Sequence, residues 1–583
     1  MLTLSTDSVS PLGLVAGGFC VSLVLYGLYR WALPKPLAGI PYNKEATTRL
    51  MGDLPDLSAY HKSQGEQRQW FPLQNIKLNS PICQVFIRPF GAPRVLLTDF
   101  RETQDIFTKR LKEFDRGTRA QEAWEGIIPH MMLSYHTTDP RFRKHREIMK
   151  DLMSPSFLTQ ISAPEIYSKV DTMVQLWQQK AQHAAERSFD GKPDIQRAAL
   201  DAIVAVSFGL DEKDSASRQQ LDDLLSRPAG GVAVVDAAKG VVEFPVVPLP
   251  KELEATLTVI ESVSVGFSSP IPRWHHWYLR QVDPLKSAAK IREEWTRREI
   301  DKAVKAIIED GSENASATRS ALEFMVLREA GAAKKAGRPP RFHRRMIYDE
   351  LFGYIIAGHD TTSATLAIGF TLIADAPDVQ AKLRSIIRTT FASALAEHRQ
   401  PTVTEITSSN IPYLDAVIEE NLRCGAVVPI ITRNAMVDTT ILGHAIPKGT
   451  QVYFLFNGPG YWKPEIPAPE HTRSASSQKS KDRYGVWNAE DVGQFVPERW
   501  IDVDENGVES YNPNKGPFHT FGGGIRGCFG KRLAYIQLRI FWVLLIWNFE
   551  FLPVAPEIRN NKVLEVVTTE PVNTFIRLRN INY

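Results

Sequence analysis

Two short stretches combine residue types that do chemistry. The first is Phe521 to Gly530, F-G-G-G-I-R-G-C-F-G, with the single thiol Cys528 among five glycines. The second is Ala357-Gly358-His359-Asp360-Thr361-Thr362, a polar cluster inside an otherwise apolar run. A thiol on a loop just before a helix sits near the positive end of the helix dipole, which favours thiolate. The glycines remove side chains around the sulfur, so a large flat group can approach the backbone. Arg526 is placed to pair with an acid group on that ligand. This pattern points to a thiolate ligand for a bulky metal cofactor. In the second stretch, an acid beside an alcohol can relay protons. Thr361 can bond the carbonyl of Ala357 one turn earlier or turn to a ligand.

Two plainer readings stand beside the first. A lone cysteine is often a small buried hydrophobe. Gly522, Gly524 and Gly527 also spell G-x-G-x-x-G, with Glu550 downstream, the fingerprint of a nucleotide-dependent dehydrogenase. Against it, Pro517 to Thr520 is no buried strand, and little more than 30 residues follow Glu550, too few to complete the sheet.

The elements that must position these residues follow from pattern. Leu533 to Phe549 is apolar except for Gln537, Arg539 and Asn548, and reads as the helix behind Cys528. Arg344 to Ala374 reads as one long helix ended by Pro377. Ile82–Ile87 and Arg94–Thr98 form a hairpin, Phe100–Leu111 is helical, and Arg116–Met132 is loop-like. Arg141–Leu152 is a basic helix. Asp194–Gly209, Lys251–Phe267 and Lys286–Asp310 are helices. Val241–Pro250, apolar and proline-rich, reads either as a membrane-dipping loop or as a packed linker. His471–Arg483 reads as a mobile surface insertion. Glu420 and Arg423 share one face of the helix Tyr413–Arg423. Ala426-Val427-Val428 reads as a strand.

F-x-x-G-x-R-x-C-x-G is met at Phe521, Gly524, Arg526, Cys528 and Gly530, and resembles the haem-binding loop of the cytochrome P-450 superfamily. The resemblance implies a mainly α fold with small β-sheets (α+β). It implies haem b, iron protoporphyrin IX, with Cys528 as axial ligand to the metal. Phe521 would pack beside the ring, with Arg526, Arg146 and Arg433 at its propionates. Where the family often has W-x-x-x-R, this chain has Phe142 and Arg146, so the Trp hydrogen bond does not carry over. A-G-x-D-T resembles the oxygen-activation motif: Asp360 and Thr361 would deliver protons, and Ala357 and Gly358 would line the distal pocket. His359 falls at a variable position and takes no role. Glu420 and Arg423 resemble E-x-x-R, joined by Arg499 of F-V-P-E-R-W in a buried network beneath the cysteine loop. The family's chemistry is insertion of one atom of O2 into an apolar or amphipathic small molecule. The style of the motifs is similar to fungal microsomal members that tailor secondary metabolites. A haem-thiolate isomerase or dehydratase needing no reductase is the alternative.

Length and composition agree with a cytosolic body. The chain has 583 residues, 43% of them hydrophobic, and four scattered cysteines that form no disulfide framework. A net charge of +3 gives no case for nucleic acid. Residues 11–30 read as a transmembrane anchor after a lumenal segment 1–10, with Arg30 and Lys35 keeping the remainder in the cytosol. A proline-rich linker 31–42 leads to a catalytic domain over 43–583, on the endoplasmic reticulum. Electrons would come from NADPH through a separate NADPH–cytochrome reductase, with cytochrome b5 as a second donor, docked on the basic patch of Arg141–Leu152.

Overall fold

The computed structural model describes residues 11–228, 234–236, 240–269, 271–309, 319–559, 562–565 and 567–582. The expected lumenal segment 1–10 lies outside them.

Three helices lie inside, two of them predominantly apolar and one carrying the buried Asp194, Arg197 and Asp201, each with hydrogen-bond partners. These are α4 (Lys192–Phe208), α7 (Arg345–Ala374) and α9 (Lys531–Asn548). Around them stand α1 (Pro11–Ala32), α2 (Phe100–Thr108), α3 (Pro140–Met149), α5 (Pro272–Leu279), α6 (Leu285–Val304) and α8 (Pro412–Gly425). One contiguous core runs through Phe370, Phe541, Trp542 and Trp547. Each such side chain contributes on the order of 1.5–3 kcal/mol by leaving water. The central helices approach closely where glycine allows it. A Cβ on Gly358 of α7 would come 2.5 Å from Ile203 Cδ1 of α4, and one on Gly369 would come 2.5 Å from Asn421 Nδ2 of α8. Gly358 is therefore a helix-packing residue as well as a member of the motif.

The principal sheet has five strands: β1 (Ile82–Val85), β2 (Arg94–Leu97), β3 (Phe114–Asp115), β4 (Ile430–Ala435) and β5 (Gln451–Leu455). Their order is β1-β2-β5-β4-β3. β5 runs parallel to β2, with Tyr453 opposite Leu96. β3 pairs antiparallel with β4 and sets Asp115 opposite Asn434. That register brings Asp115 and Arg116 alongside Arg433, although more than 300 residues separate them.

The structure corrects several local expectations. The loop 116–132 contains a helix, Thr118–Glu125, and Trp124, Ile127, Ile128 and Met131 are buried against Phe352 and Ile356. Strand β4 begins after Pro429, not at Ala426, because Ala426 caps α8 in the left-handed region. Val241–Pro250 is the packed linker: Val241 and Val242 are buried, and the Phe244 ring lies 5.5 Å from Phe189. The exposed aromatics stand instead on α5, at Trp274, Trp277 and Tyr278. His471–Arg483 is tied down: Arg473 is buried and makes paired hydrogen bonds to Asp99 at 2.6 and 2.7 Å. At the amino end, α1 covers the expected anchor with exposed apolar side chains such as Val15, Phe19 and Val24. Among the described residues, no helix is long and apolar enough to cross a membrane; the side chains of residues 11–14 and 17 fall outside that description.

Candidate active site

The cysteine loop is built from its own backbone. Cys528 N–H donates to Phe521 O at 2.8 Å, Gly522 N–H to His519 O at 2.7 Å, and Gly527 N–H to Gly524 O at 3.0 Å. Gly522 and Gly524 both have φ +63. A Cβ on Gly524 would lie 2.0 Å from Phe107 O of α2, so the loop seats on α2 only with glycine there. Gly530 caps α9. The Phe521 ring lies 5.3 Å from Tyr535, with Lys531 over it at 5.4 Å. Cys528 is an exposed residue, yet protein crowds it on most sides. Burial pushes its pKa up, against a backbone hydrogen bond at Gly530 and the charge of Lys531, which pull it down. A metal bound at the sulfur would displace its proton and hold it as thiolate.

The support beneath forms as expected. Glu420 and Arg423 are fully buried and face each other with two hydrogen bonds, 2.7 and 2.8 Å. Arg499 Nε donates to Glu420 at 3.0 Å, and Trp500 Nε1 at 2.9 Å. Arg423 also donates to Tyr461 O, Val492 O and Gln494 O. Burial would lower the Arg423 pKa, but the bonds to Glu420 outweigh it and the net shift is upward. Every donor in this group is matched, which is what makes a buried ion pair tolerable.

On α7, Thr361 Oγ1 donates to Ala357 O at 2.6 Å, the first of its two options. Asp360 Oδ1 lies 2.7 Å from His359 Nδ1, but off the line a hydrogen bond needs, so both nitrogens of the buried His359 ring lack a partner. Thr362 Oγ1 donates to Gln537 Oε1 at 3.2 Å, which ties the motif helix to the helix following Cys528.

The rim holds four guanidinium groups. Arg526 Nε donates to Thr137 Oγ1 at 2.6 Å and lies 3.6 Å from Asp115. Its guanidinium stands 4.0 Å over the Phe142 ring. Arg146 Nη1 donates to Ile525 O at 2.8 Å, and Arg433 Nη1 to Thr432 O at 3.0 Å. The fourth is Arg116, whose Nη1 donates to Leu133 O at 3.1 Å and whose Nε is buried without a partner. Burial, then the like charges of Arg433 and Arg526, push Arg116 down to about 9. Burial and Arg526 push Arg433 down to about 10. Asp115 is the carboxylate that offsets these cations. Sequence reasoning missed Arg116. Its local signal, an arginine between Asp115 and Gly117, gains meaning only from the β3–β4 register.

A 560 Å³ groove lined by Tyr135, His136, Arg141, Trp277 and Arg280 opens on the outer side of this segment. Neither Cys528 nor any α7 residue lines it, so it is not where the thiol works.

The model of one family, "Cytochrome P450", matches residues 77–469 and 486–576. The chain belongs to the cytochrome P450 family. It is 36% identical over 578 residues to "Cytochrome P450 monooxygenase TRI13" of Fusarium sporotrichioides, covering 96% of this chain and 98% of the relative. It is 35% identical to "Cytochrome P450 monooxygenase GME11363" of Pestalotiopsis microspora, covering 98% and 99%. The crystal structure of the haem domain of cytochrome P450DA superposes with a TM-score of 0.63 at 16% identity, covering 94% of this chain and 99% of that one; this likeness speaks to the fold. The protein is a cytochrome P450 monooxygenase, an oxidoreductase acting on a small molecule with a redox partner. The family implies haem, and the residues present fit it. Four buried or half-buried cations offset by one carboxylate suit a ligand carrying two carboxylates, and Arg116 Nε is a donor still to be satisfied. The dehydrogenase reading falls, since no strand precedes the glycines: Gly524–Arg526 is a single 3₁₀ turn.

Proposed function

We propose that this P450 is a haem-thiolate monooxygenase that inserts one atom of O2 into an apolar or amphipathic small molecule in secondary-metabolite biosynthesis. Cys528 would hold the iron, and Arg116, Arg146, Arg433 and Arg526 the propionates. When bound, the haem supplies the activation of oxygen. The chain's own residues do the remainder. The buried side chains of Trp124, Ile128, Phe352 and Ile356 form an apolar surround that excludes water and orients the substrate. Asp360 and the Thr361 hydroxyl hold protons at the distal helix. The observation that carries this reading is the cationic rim, four guanidinium groups set against the single carboxylate of Asp115.

Electrons would arrive from a separate NADPH–cytochrome reductase, with cytochrome b5 as a second donor, at the exposed Arg143 and Lys144 of α3. Helix α1 would anchor the enzyme on the endoplasmic reticulum with the body in the cytosol, as its exposed apolar side chains suggest. A role in secondary metabolism is the reading proposed here; one fungal relative, "Hps1-dma1 cluster cytochrome P450 monooxygenase cyp3.1" of Dothistroma septosporum, 39% identical over 273 residues, is named for a cluster.

The test is turnover of candidate substrates with reductase, NADPH and isotopically labelled O2. One labelled oxygen in the product supports the reading. Conversion without NADPH and without label would favour the isomerase or dehydratase instead.

A further inference from the structure

Glu350 lies on α7 two turns before Ala357, hence on the same helix face as Ala357 and Thr361. Its side chain is wholly buried, and His145 of α3 is nearly so, with Nδ1 2.5 Å from Glu350 Oε1. The same Oε1 accepts from the backbone N–H of Met132 at 2.6 Å. Oε2 is buried without a partner. Burial pushes the carboxyl's pKa up, against the bonds from His145 and Met132. One carboxylate therefore joins three pieces of chain: the motif helix, the helix that carries Phe142 and Arg146, and the segment 132–137.

That segment is what holds Arg526. Its guanidinium donates to Thr137 Oγ1, to Met132 O at 3.5 Å and to Tyr135 O. The Tyr135 ring packs edge-on against His145 at 5.1 Å. Met132 is thus held at its N–H by Glu350 and at its carbonyl by Arg526, across two successive peptide groups. The plain alternative is a buried pair that serves stability alone, as Lys180 and Asp194 do at 2.7 Å elsewhere in the core.

We propose that Glu350 and His145 are positioning residues that set the geometry of the propionate-binding rim from the distal helix, through Met132 and Arg526. The inference rests on the haem reading above.

The test is the rate at which the ferric holoenzyme loses haem to excess apoglobin, alongside its melting temperature. Glu350→Ala and His145→Ala should each speed loss about tenfold to a hundredfold, the equivalent of one charge-assisted hydrogen bond. The double variant should lose haem no faster than the faster single one. Glu350→Gln, which keeps an acceptor for the Met132 N–H, should restore most of the retention. Asp194→Asn is the comparison: it should lower the melting temperature without speeding haem loss. If an alanine variant does not fold, His145→Gln takes its place. Haem loss no faster than in Asp194→Asn, or simply additive effects of the two sites, would overturn the proposal. A wild type that shows no haem spectrum would instead strike the haem reading.

Discussion

The guanidinium of Arg526 stands 4.0 Å over the ring of Phe142, and Arg146 lies 5.8 Å from the same ring. A phenylalanine in place of a tryptophan thus keeps the rim together by its face, not by an N–H. A buried cation–π contact is worth up to about 2 kcal/mol. Phe142→Leu, which keeps an apolar side chain but removes the ring, should quicken haem loss severalfold, beyond what the modest fall in melting temperature from a smaller core side chain accounts for. Unchanged haem loss would remove the ring from the rim's account.

Arg116 should show two opposite effects. Its Nε is unpartnered and its neighbours Arg433 and Arg526 repel it. Arg116→Met should therefore raise the melting temperature of haem-depleted protein and lower haem retention in the holoenzyme. A lost hydrogen bond to a charged group is worth about 1.5–3 kcal/mol, so retention should fall at least tenfold. The paired measurement is differential scanning calorimetry with a haem-loss rate.

Gly524 has φ +63, and a side chain there would strike Phe107 O. An L-residue in the left-handed region costs roughly 1–2 kcal/mol, and the overlap adds more. Gly524→Ala should shift the loop off α2 and broaden or displace the reduced carbon-monoxide band. A variant with the parent's spectrum and stability would show that the loop has room to spare.

His519 is fully enclosed, its Nδ1 accepting from Tyr461 OH and its Nε2–H donating to Gln104 Oε1, each at 2.8 Å. Burial pushes it down to about 3, whereas an unfolded histidine titrates near 6.5. Between those values the unfolded chain binds more protons, so acid favours unfolding, and the contribution is complete above about 6.5. The melting temperature should fall as pH drops from about 6.5, and His519→Gln should show a shallower slope over that range. Equal slopes would mean that other groups dominate acid sensitivity.

Legibility in the sequence followed contact distance. The cysteine loop, the Ala357–Thr361 motif and the Glu420–Arg423 pair are each carried by neighbours within a few positions, and each could be read directly. Arg499 was legible through its own short motif. Arg116 was not, because its role arises from β3 pairing with β4 across the length of the fold. His359 and Asp360 lie adjacent, but their off-line geometry depends on how α7 packs against α4. The segment 241–250 stayed open between two readings and 471–483 was expected to be mobile for one reason: composition does not say which residues the fold holds, and Phe189 meets Phe244 while Asp99 holds Arg473.

The central claim is that Cys528 ligates haem iron, and the reduced, carbon-monoxide-bound difference spectrum tests it most directly. The wild type should show the red-shifted Soret band of a thiolate-ligated haem, and Cys528→Ala should lose it. A wild type without that band, or a Cys528→Ala variant that retains it, would contradict the account.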